Sequence, residues 1–299
     1  MDGVLPLYKE RGMTSFDCIR RLRQLLHTKK IGHSGTLDPN VSGVLPICVG
    51  NATKLVPYLM ASGKVYAGEL LIGQATTTED LDGEVVDTKA VAAAIPEEQI
   101  QAAMAKLTGD ITQIPPMYSA VKVNGKRLYE YARAGETVER PQRQVTISKF
   151  KMTSSQYDPD KQVQRVRFEV HCSKGTYVRT LAVDLAKELG YPGTMSSLTR
   201  LKSGGFELDQ TLSLADVEEE VNNGTITNYI FPARFVLQDY PQVELTADQW
   251  KLVQNGGWLK ATALNHDEKE IVLLYDGEAK AVYKKVGANY KPATMISVK

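Results

Sequence analysis

Cysteine is scarce in this sequence, and its spacing excludes the common metal and redox centres. The chain of 299 residues has three cysteines, Cys18, Cys48 and Cys172. No two of them form a Cys-x-x-Cys pair, and none lies near a plausible cluster of histidine ligands. The pattern therefore predicts reduced, mostly buried thiols and no bound metal.

Long hydrophobic runs are also missing at the N-terminus, where Asp2, Lys9, Glu10 and Arg11 interrupt the apolar residues. A signal peptide needs an apolar core of roughly 7–15 residues, and a membrane helix needs about 20. We therefore expect a cytoplasmic protein that does not enter a membrane. At roughly 150 residues per domain, the length predicts one large domain and a second, smaller one.

An excess of charge is lacking too, since the formal net charge is +1. This balance taken alone argues against a nucleic-acid partner, but the charges are unevenly distributed. In residues 122–151 eight cations face three glutamates, a local net charge of +5. Seven carboxylates collect in residues 79–98 beside one lysine, and residues 207–220 are acidic without any cation. Such segregation predicts one basic face and one acidic face.

A single carboxylate, Asp38, lies among glycines, hydroxyl residues and prolines between Gly32 and Pro46. Because Pro39 follows it, helical geometry is disfavoured at Asp38, and its side chain is predicted to project from a turn or an extended segment. An ordinary structural turn explains this segment alone equally well. The rest of the chain decides between the two interpretations.

Four further blocks follow that segment in order, so that five blocks cover roughly the first 210 residues. Together they resemble the tRNA pseudouridine-55 synthases, the TruB family. The later blocks are residues 64–66 with 73–83, residues 113–120 with 124–127, residues 172–181, and residues 198–200 with Gly204 and Phe206.

The resemblance implies a fold and an activity. The fold would be α+β, with a catalytic domain built on a mixed, largely antiparallel sheet flanked by helices, and a small β-rich, PUA-like C-terminal domain. The activity would be isomerisation of the uridine at position 55, in the T-loop of tRNA, to pseudouridine, without a cofactor. The partner would be the T-arm stem-loop of tRNA, and a monomer without an obligate protein partner is expected.

The resemblance also assigns three catalytic residues: Asp38, Tyr66 and Arg179. The Asp38 carboxylate would act as a nucleophile at the sugar or as a base. The Arg179 guanidinium would hold that carboxylate ionised and oriented. Tyr66 would stack on the extruded uracil and manage the C5 proton. Without the resemblance, Arg179 would be interpreted as a helix surface residue and Tyr66 as an ordinary sheet aromatic.

The substrate-binding residues come from the same comparison. Flipping the base out of the RNA stack costs a few kcal/mol of lost stacking. His33 would fill the space that the base leaves. Tyr177 and Leu198 would form walls of the base pocket, although either could equally be core. The cationic residues that would contact phosphates are Lys64, Lys126 and Arg127.

Periodicity predicts several elements of the first 240 residues. Thr14 or Ser15 would cap a helix whose apolar stripe begins at Phe16. A second helix would begin after Pro96 and a third would follow Tyr177. Strands are predicted at 65–73 and 163–172 and a loop at 73–83, while residues 110–117 show no periodicity.

The sequence changes character near residue 240, which predicts a catalytic domain of residues 1–239 and an RNA-binding domain of residues 240–299. Thr246 begins a capping box for a short helix. Three β-rich runs follow, at 270–275, 281–286 and 293–298, and Asp276-Gly277 is typical of a hairpin turn.

Other functions remain open at this stage. A P-loop is disfavoured because Gly32 to Thr36 lacks the Gly-Lys-Ser/Thr ending, and a hydrolase triad because its members would share one short turn. The only acid between Gly32 and Pro46 is Asp38, whereas a glycosidase usually pairs two carboxylates around a water. A non-catalytic RNA-binding or RNA-folding protein and a guide-RNA-dependent pseudouridine synthase are the two alternatives.

Overall fold

The computed structural model describes residues 1–297. The chain divides into two compact units, each built from separate parts of the sequence. Unit 1 comprises Met1–Pro39, Gly43–Ser62 and the chain from Ser203 onward, and unit 2 comprises Asn40–Ser42 and Gly63–Lys202. The predicted boundary near residue 240 stays a prediction.

The elements follow in chain order. Up to residue 90 they are β1 (Gly3–Lys9), α1 (Ser15–Leu25), β2 (Ile31–His33), β3 (Ser42–Val49), α2 (Val56–Ala61), β4 (Lys64–Ile72), β5 (Gln74–Thr76) and β6 (Val85–Thr88). From there to residue 203 they are α3 (Glu97–Lys106), β7 (Gly109–Gln113), β8 (Lys122–Val123), β9 (Lys126–Arg127), α4 (Leu128–Arg133), β10 (Arg143–Asp158), β11 (Val163–Cys172), α5 (Val178–Glu188) and β12 (Gly193–Ser203).

The remaining elements belong to unit 1. They are β13 (Phe206–Glu207), α6 (Leu214–Asn222), α7 (Ala233–Val236), β14 (Gln242–Glu244), α8 (Ala247–Val253), β15 (Leu259–Lys260), α9 (Ala261–Leu264), β16 (Glu270–Tyr275), β17 (Glu278–Val286) and β18 (Asn289–Met295). Among the described residues, no helix is long and apolar enough to cross a membrane.

In unit 1, β3 pairs antiparallel with both β1 and β2. All residues of β3 are buried, so the strand carries no alternation that a sequence pattern could reveal. The predicted cap of α1 is confirmed, because the Thr14 hydroxyl accepts a hydrogen bond from Asp17 N at 3.0 Å. The Asp17 carboxylate accepts one from Thr14 N at 3.0 Å, which completes a capping box. The predicted stripe is wrong at Phe16, which is 63% exposed. The buried face instead begins at Ser15 and continues through Cys18, Ile19 and Leu22.

The C-terminal part of unit 1 is a five-stranded sheet in the order β14-β16-β17-β18-β15. The predicted strand at 270–275 is confirmed, and the predicted hairpin turn has positive φ at both Asp276 and Gly277. The last predicted run, 293–298, overlaps β18, which ends at Met295; its residue Val298 lies outside the described residues. Val272 and Val282 of this sheet share a core cluster with Val4.

Unit 2 is built on a sheet in the order β12-β4-β11-β10-β7. The strand predicted at 163–172 is confirmed as β11, which alternates buried and partly exposed residues and pairs antiparallel with β4 and β10. The helices predicted after Pro96 and Tyr177 are confirmed as α3 and α5. They supply further buried residues of this unit.

The predicted loop at 73–83 is wrong in part, because it contains a short strand, and the segment without periodicity at 110–117 also begins within a strand. Residues 110–113 belong to β7, which pairs with β10, and residues 74–76 form β5, which pairs with β6. Each strand is stabilised by a partner elsewhere in the chain, which local periodicity does not reveal. The predicted buried thiols are confirmed, since all three cysteines are free and buried. Burial raises the pKa of the Cys48 thiol to about 12.

Candidate active site

Asp38 lies between β2 and β3 of unit 1, in a segment with neither helix nor strand, as its following proline predicts. Its side chain is half-buried. The preceding residue, Leu37, is held through both backbone groups by one hydroxyl. Leu37 N donates to Ser15 Oγ at 2.9 Å, and Ser15 Oγ lies 3.2 Å from Leu37 O, so this hydroxyl meets both groups.

The residue after the acid, Pro39, is held as firmly. Its carbonyl oxygen accepts hydrogen bonds from Gly12 N at 2.9 Å and from Lys9 Nζ at 3.0 Å. Lys9 is fully buried, and its ammonium also donates to Glu10 O at 3.0 Å. Asp38 is therefore flanked by two fixed residues, which restricts the directions in which the carboxylate can point.

His33 ends β2 just before this segment and is half-buried. Its Nδ1 accepts a hydrogen bond from Gly35 N at 3.3 Å. Ser34 is fully buried, and its backbone N donates to Pro46 O at 3.1 Å. The glycines and hydroxyl residues noticed in the sequence thus form an ordered turn.

Arg179 is the second residue of α5 in unit 2 and is 6% exposed. Its guanidinium donates from Nη1 to Thr78 O at 2.8 Å and from Nη2 to Tyr118 O at 2.9 Å. Asp80 Oδ2 lies 3.5 Å from Nη1 and supplies a negative charge. A buried cation needs such partners, because desolvation without them is costly.

Sequence reasoning did not identify Asp80 as a partner of this arginine. The signal was present, since Asp80 lies in the 73–83 block that resembles the family. Thr78 Oγ1 donates to Asp80 Oδ1 at 2.5 Å, and Thr76 Oγ1 donates to Asp80 O at 2.5 Å. The loop between β5 and β6 is therefore a rigid support for the Arg179 guanidinium.

Lys64 and Tyr66 are alternate residues of β4, and Leu198 lies on the adjoining strand β12. Tyr66 and Leu198 are buried, and Lys64 is half-buried. Burial, followed by the positive charges of Arg200 and Lys174, lowers the pKa of Lys64 to about 8. The structure thus brings three of the predicted residues to two neighbouring strands.

Tyr177 is the residue before the first turn of α5, so it lies close to Arg179 in the chain and is half-buried. The Arg143 guanidinium lies over its ring, 5.4 Å from the centroid. Gln113 binds the Tyr177 backbone through two hydrogen bonds. Sequence reasoning missed both neighbours, which are 34 or more residues away in the chain.

Lys126 and Arg127 form β9, after a turn in which Asn124 and Gly125 both have positive φ. Lys126 Nζ lies 2.9 Å from Glu136 Oε2, and Arg127 donates from Nη1 to Tyr129 Oη at 2.9 Å. Both predicted phosphate contacts therefore project from a short hairpin in the basic segment of residues 122–151.

The comparisons with known proteins agree with this architecture. A solved structure described as "Crystal Structure of a Cbf5-Nop10-Gar1 Complex" matches with a TM-score of 0.76 and 24% identity, over 99% of this chain and 85% of that chain. Another, "Structure of H/ACA RNP bound to a substrate RNA containing 2'-deoxyuridine", matches with a TM-score of 0.74 and 21% identity, over 99% and 85%. At these identities the matches show the fold.

Sequence comparison is more specific. Residues 23–178 match the family described as "TruB family pseudouridylate synthase (N terminal domain)". The "tRNA pseudouridine synthase B" of Limosilactobacillus reuteri is 67% identical over 300 residues, which cover 100% of both chains. The protein of the same name from Levilactobacillus brevis is 56% identical, again over 100% of both chains.

The fold and these matches define the class, which is that of the pseudouridylate synthases, and members of this class are isomerases. The chain belongs to the TruB family of that class. The α+β fold and the family predicted from the sequence are thereby confirmed. The roles assigned to individual site residues stay predictions.

Proposed function

We propose that this protein converts uridine 55, in the T-loop of tRNA, to pseudouridine. The observation that carries the proposal is the full-length identity of 67% to a protein named tRNA pseudouridine synthase B. The ordered turn around Asp38 supports it, because such a turn presents one carboxylate in a fixed direction. The enzyme acts as a monomer in the cytoplasm and needs no protein partner.

The reaction breaks the N1–C1′ bond of the uridine, turns the base and joins C5 to C1′. The hydrogen on C5 leaves as a proton, and N1 gains a proton, so the atoms of the nucleoside are conserved. A carboxylate suits this chemistry, because it can add to C1′ or remove a sugar proton, and it stabilises the positive charge that develops on the sugar. We assign this role to Asp38.

Two other side chains complete the proposed chemistry. Arg179 keeps its charge at any physiological pH, so its guanidinium can hold a carboxylate ionised in a poorly hydrated site. The Asp80 side chain and two backbone carbonyls hold that guanidinium in place. Tyr66 stacks on the uracil and assists removal of the C5 proton.

The substrate-binding residues serve extrusion of the base from the folded loop. His33 occupies the place of the extruded base, and Tyr177 and Leu198 line the pocket that receives it. Lys64, Lys126 and Arg127 contact phosphates. Residues 1–239 form the catalytic domain and residues 240–299 an RNA-binding, PUA-like domain. The five-stranded sheet within residues 242–295 supports this division.

The direct test compares the wild type with Asp38→Asn on tRNA carrying tritium at uridine C5. Replacing the carboxylate by an amide keeps the shape and removes the charge. We expect label release to fall at least about 10³-fold while tRNA affinity stays within about threefold, because the lost interaction belongs to the transition state.

Asp209→Asn is the control, since Asp209 is an exposed aspartate in a 3₁₀ turn of unit 1. This variant should release label at the wild-type rate. Continued turnover by Asp38→Asn would refute the assignment of Asp38. A wild type that binds tRNA without releasing label would instead favour the RNA-binding alternative, and release only with an added guide RNA and protein partners would favour the guide-dependent one.

A further inference from the structure

Gln113, at the end of β7, is a polar side chain that the proposed chemistry does not use. It is 1% exposed. Its Oε1 accepts a hydrogen bond from Tyr177 N at 2.7 Å, and its Nε2 donates to Tyr177 O at 3.0 Å. One carboxamide therefore satisfies both backbone groups of Tyr177, as a neighbouring strand would.

The start of α5 needs such a partner. Tyr177 precedes the first helical residue, and its side chain makes no capping hydrogen bond. Because Tyr177 stands at the N-terminal end of α5, its N–H has no acceptor within the helix. Tyr177 O already accepts from Leu181 N at 3.1 Å, and Gln113 supplies the second bond to that oxygen. The amide thus fixes the point at which the chain turns into α5.

The stretch that follows Gln113 contacts α5 a second time. Tyr118 O accepts a hydrogen bond from Arg179 Nη2 at 2.9 Å. Pro115 and Pro116 stiffen the connection, because each proline fixes its φ. Arg140 Nη1 donates to Pro115 O at 3.0 Å and anchors the same connection. Gln113 therefore holds the backbone before α5, and Tyr118 holds the Arg179 guanidinium on the first turn of that helix.

We propose that Gln113 is a positioning residue whose carboxamide sets the directions in which Tyr177 and Arg179 leave the first turn of α5. The inference rests on the proposed function, in which Tyr177 lines the base pocket and Arg179 holds the catalytic carboxylate. It extends that function to a residue that contacts neither the base nor the acid. A displacement of a catalytic group by about 1 Å can cost about 10²-fold in rate.

The chain offers a matched control for this arrangement. Gln164, on β11, is 2% exposed and holds a backbone in the same way. Its Oε1 accepts from Ile95 N at 2.7 Å, and its Nε2 donates to Ile95 O at 3.0 Å. Ile95 precedes α3 and belongs to none of the proposed catalytic segments. Loss of either glutamine removes a pair of hydrogen bonds to one backbone residue, and loss of Gln164 also removes the 2.7 Å bond from its Nε2 to Ser155 Oγ.

The test measures label release from tRNA tritiated at uridine C5, together with KM and Tm, for Gln113→Leu and Gln164→Leu. Both variants should lower Tm, because each leaves a backbone pair without its partner. Gln113→Leu should lower kcat by about 10- to 100-fold with KM within about threefold. Gln164→Leu should keep kcat within about twofold even though its loss of Tm is as large or larger, because it removes one more hydrogen bond.

A milder variant, Gln113→Asn, covers the case in which Gln113→Leu fails to fold. It keeps a neutral carboxamide and shortens its reach by one CH₂ group, so both hydrogen bonds to Tyr177 are weakened, and kcat should fall by about three- to tenfold with KM unchanged. Wild-type kcat in Gln113→Asn, or equal kcat losses in Gln113→Leu and Gln164→Leu, would overturn the inference. No label release by the wild type would instead reject the proposed function.

Discussion

At the scale of single residues, Lys9 and Lys64 show two ways in which the protein accommodates a lysine that is fully or partly buried. Lys9 is fully buried, and its ammonium donates to Pro39 O, next to Asp38, and to Glu10 O. Lys64 is half-buried, and its pKa is lowered to about 8 by burial and by the neighbouring cations Arg200 and Lys174. An anion placed beside Lys64 would raise the pKa of this side chain back towards its usual value, so the ammonium is suited to bind a phosphate.

The lowered pKa predicts a pH dependence of RNA binding. As the pH rises through 8, free Lys64 loses its proton, and the bound phosphate loses a partner. Affinity for tRNA should therefore be highest below pH 8 and fall by about fivefold towards pH 9, since one ion pair at 4 Å contributes roughly 1 kcal/mol in water. Filter binding at pH 7, 8 and 9 measures this effect.

Lys64→Arg is the informative variant, because a guanidinium stays charged throughout this range. Its affinity should be flat between pH 7 and 9. Lys126→Arg is the control and should keep the wild-type slope, since it exchanges one cation for another in the basic segment and leaves Lys64 in place. An equal slope in wild type and Lys64→Arg would show that another group titrates.

The residues around Asp38 and Tyr177 show how much of the candidate site the sequence predicts. Asp38 and its non-helical turn follow from an Asp-Pro dipeptide, which is local information. Ser15 and Lys9, which hold that turn, are separated from it by 22 and 30 residues, and Gln113 is 64 residues from Tyr177. Hydrogen bonds over such separations depend on how the strands pair, so the sequence pattern does not reveal them.

At the scale of elements, prediction succeeds where a strand is half-buried. β11 alternates along its whole length, and its bounds were predicted from that alternation. β3 is buried on both faces, and β12 buries polar residues such as Thr194 and Arg200, so neither shows a clear period of two. β5 is shorter still, and its pairing with β6 decides its conformation.

Strand β4, which carries Lys64 and Tyr66, packs so closely that one position accepts only glycine. A Cβ atom built on Gly68 would lie 2.4 Å from Cζ of Phe168 and 3.1 Å from Cδ1 of Leu198. The Phe168 ring is itself fixed, because it meets Phe150 edge-on at a centroid distance of 5.3 Å. Neither ring can move away without disturbing the core of unit 2.

This packing predicts that Gly68→Ala lowers the free energy of unfolding by about 1–3 kcal/mol, the usual cost of adding a methyl group to a filled core. Urea denaturation measures the change. Gly63→Ala is the matched control just before the same strand, where the nearest atom to an added Cβ is Cys172 O at 3.5 Å. That variant should stay within about 0.5 kcal/mol of the wild type, and a similar loss in both would argue against the packing explanation.

At the scale of the whole molecule, the net charge of +1 conceals a second basic surface besides residues 122–151. In the C-terminal sheet, Leu259 pairs with Tyr290, and both are buried. Their neighbours in the chain, Trp258, Lys260 and Lys291, therefore lie on the opposite face. Lys284 joins them, because it pairs with Lys291 across the β17–β18 ladder, and its partner on β16 is Glu270, so lysines outnumber carboxylates three to one among these residues.

Trp258 gives this face a second property besides charge. Its side chain is 58% exposed, and Lys291 Nζ lies 5.9 Å from the centroid of its ring. An exposed aromatic ring among lysines is the usual platform for unpaired nucleotides, where a base stacks on the ring and the cations meet the phosphates. This surface is the part of residues 240–299 to which we assign the predicted RNA binding.

The two tryptophans of the chain make that assignment testable by fluorescence. Because the chain has two tryptophans, Trp250→Phe leaves Trp258 as the one tryptophan reporter, and Trp258→Phe leaves Trp250. Trp250 stacks on Tyr275 with ring centroids 5.3 Å apart. Single-stranded RNA should quench Trp250→Phe and leave Trp258→Phe nearly unchanged. Trp258→Ala should weaken the binding of that RNA roughly 5- to 100-fold, because stacking contributes about 1–3 kcal/mol per base. Quenching that persists in Trp258→Phe, or undiminished binding by Trp258→Ala, would move RNA recognition to another part of the chain.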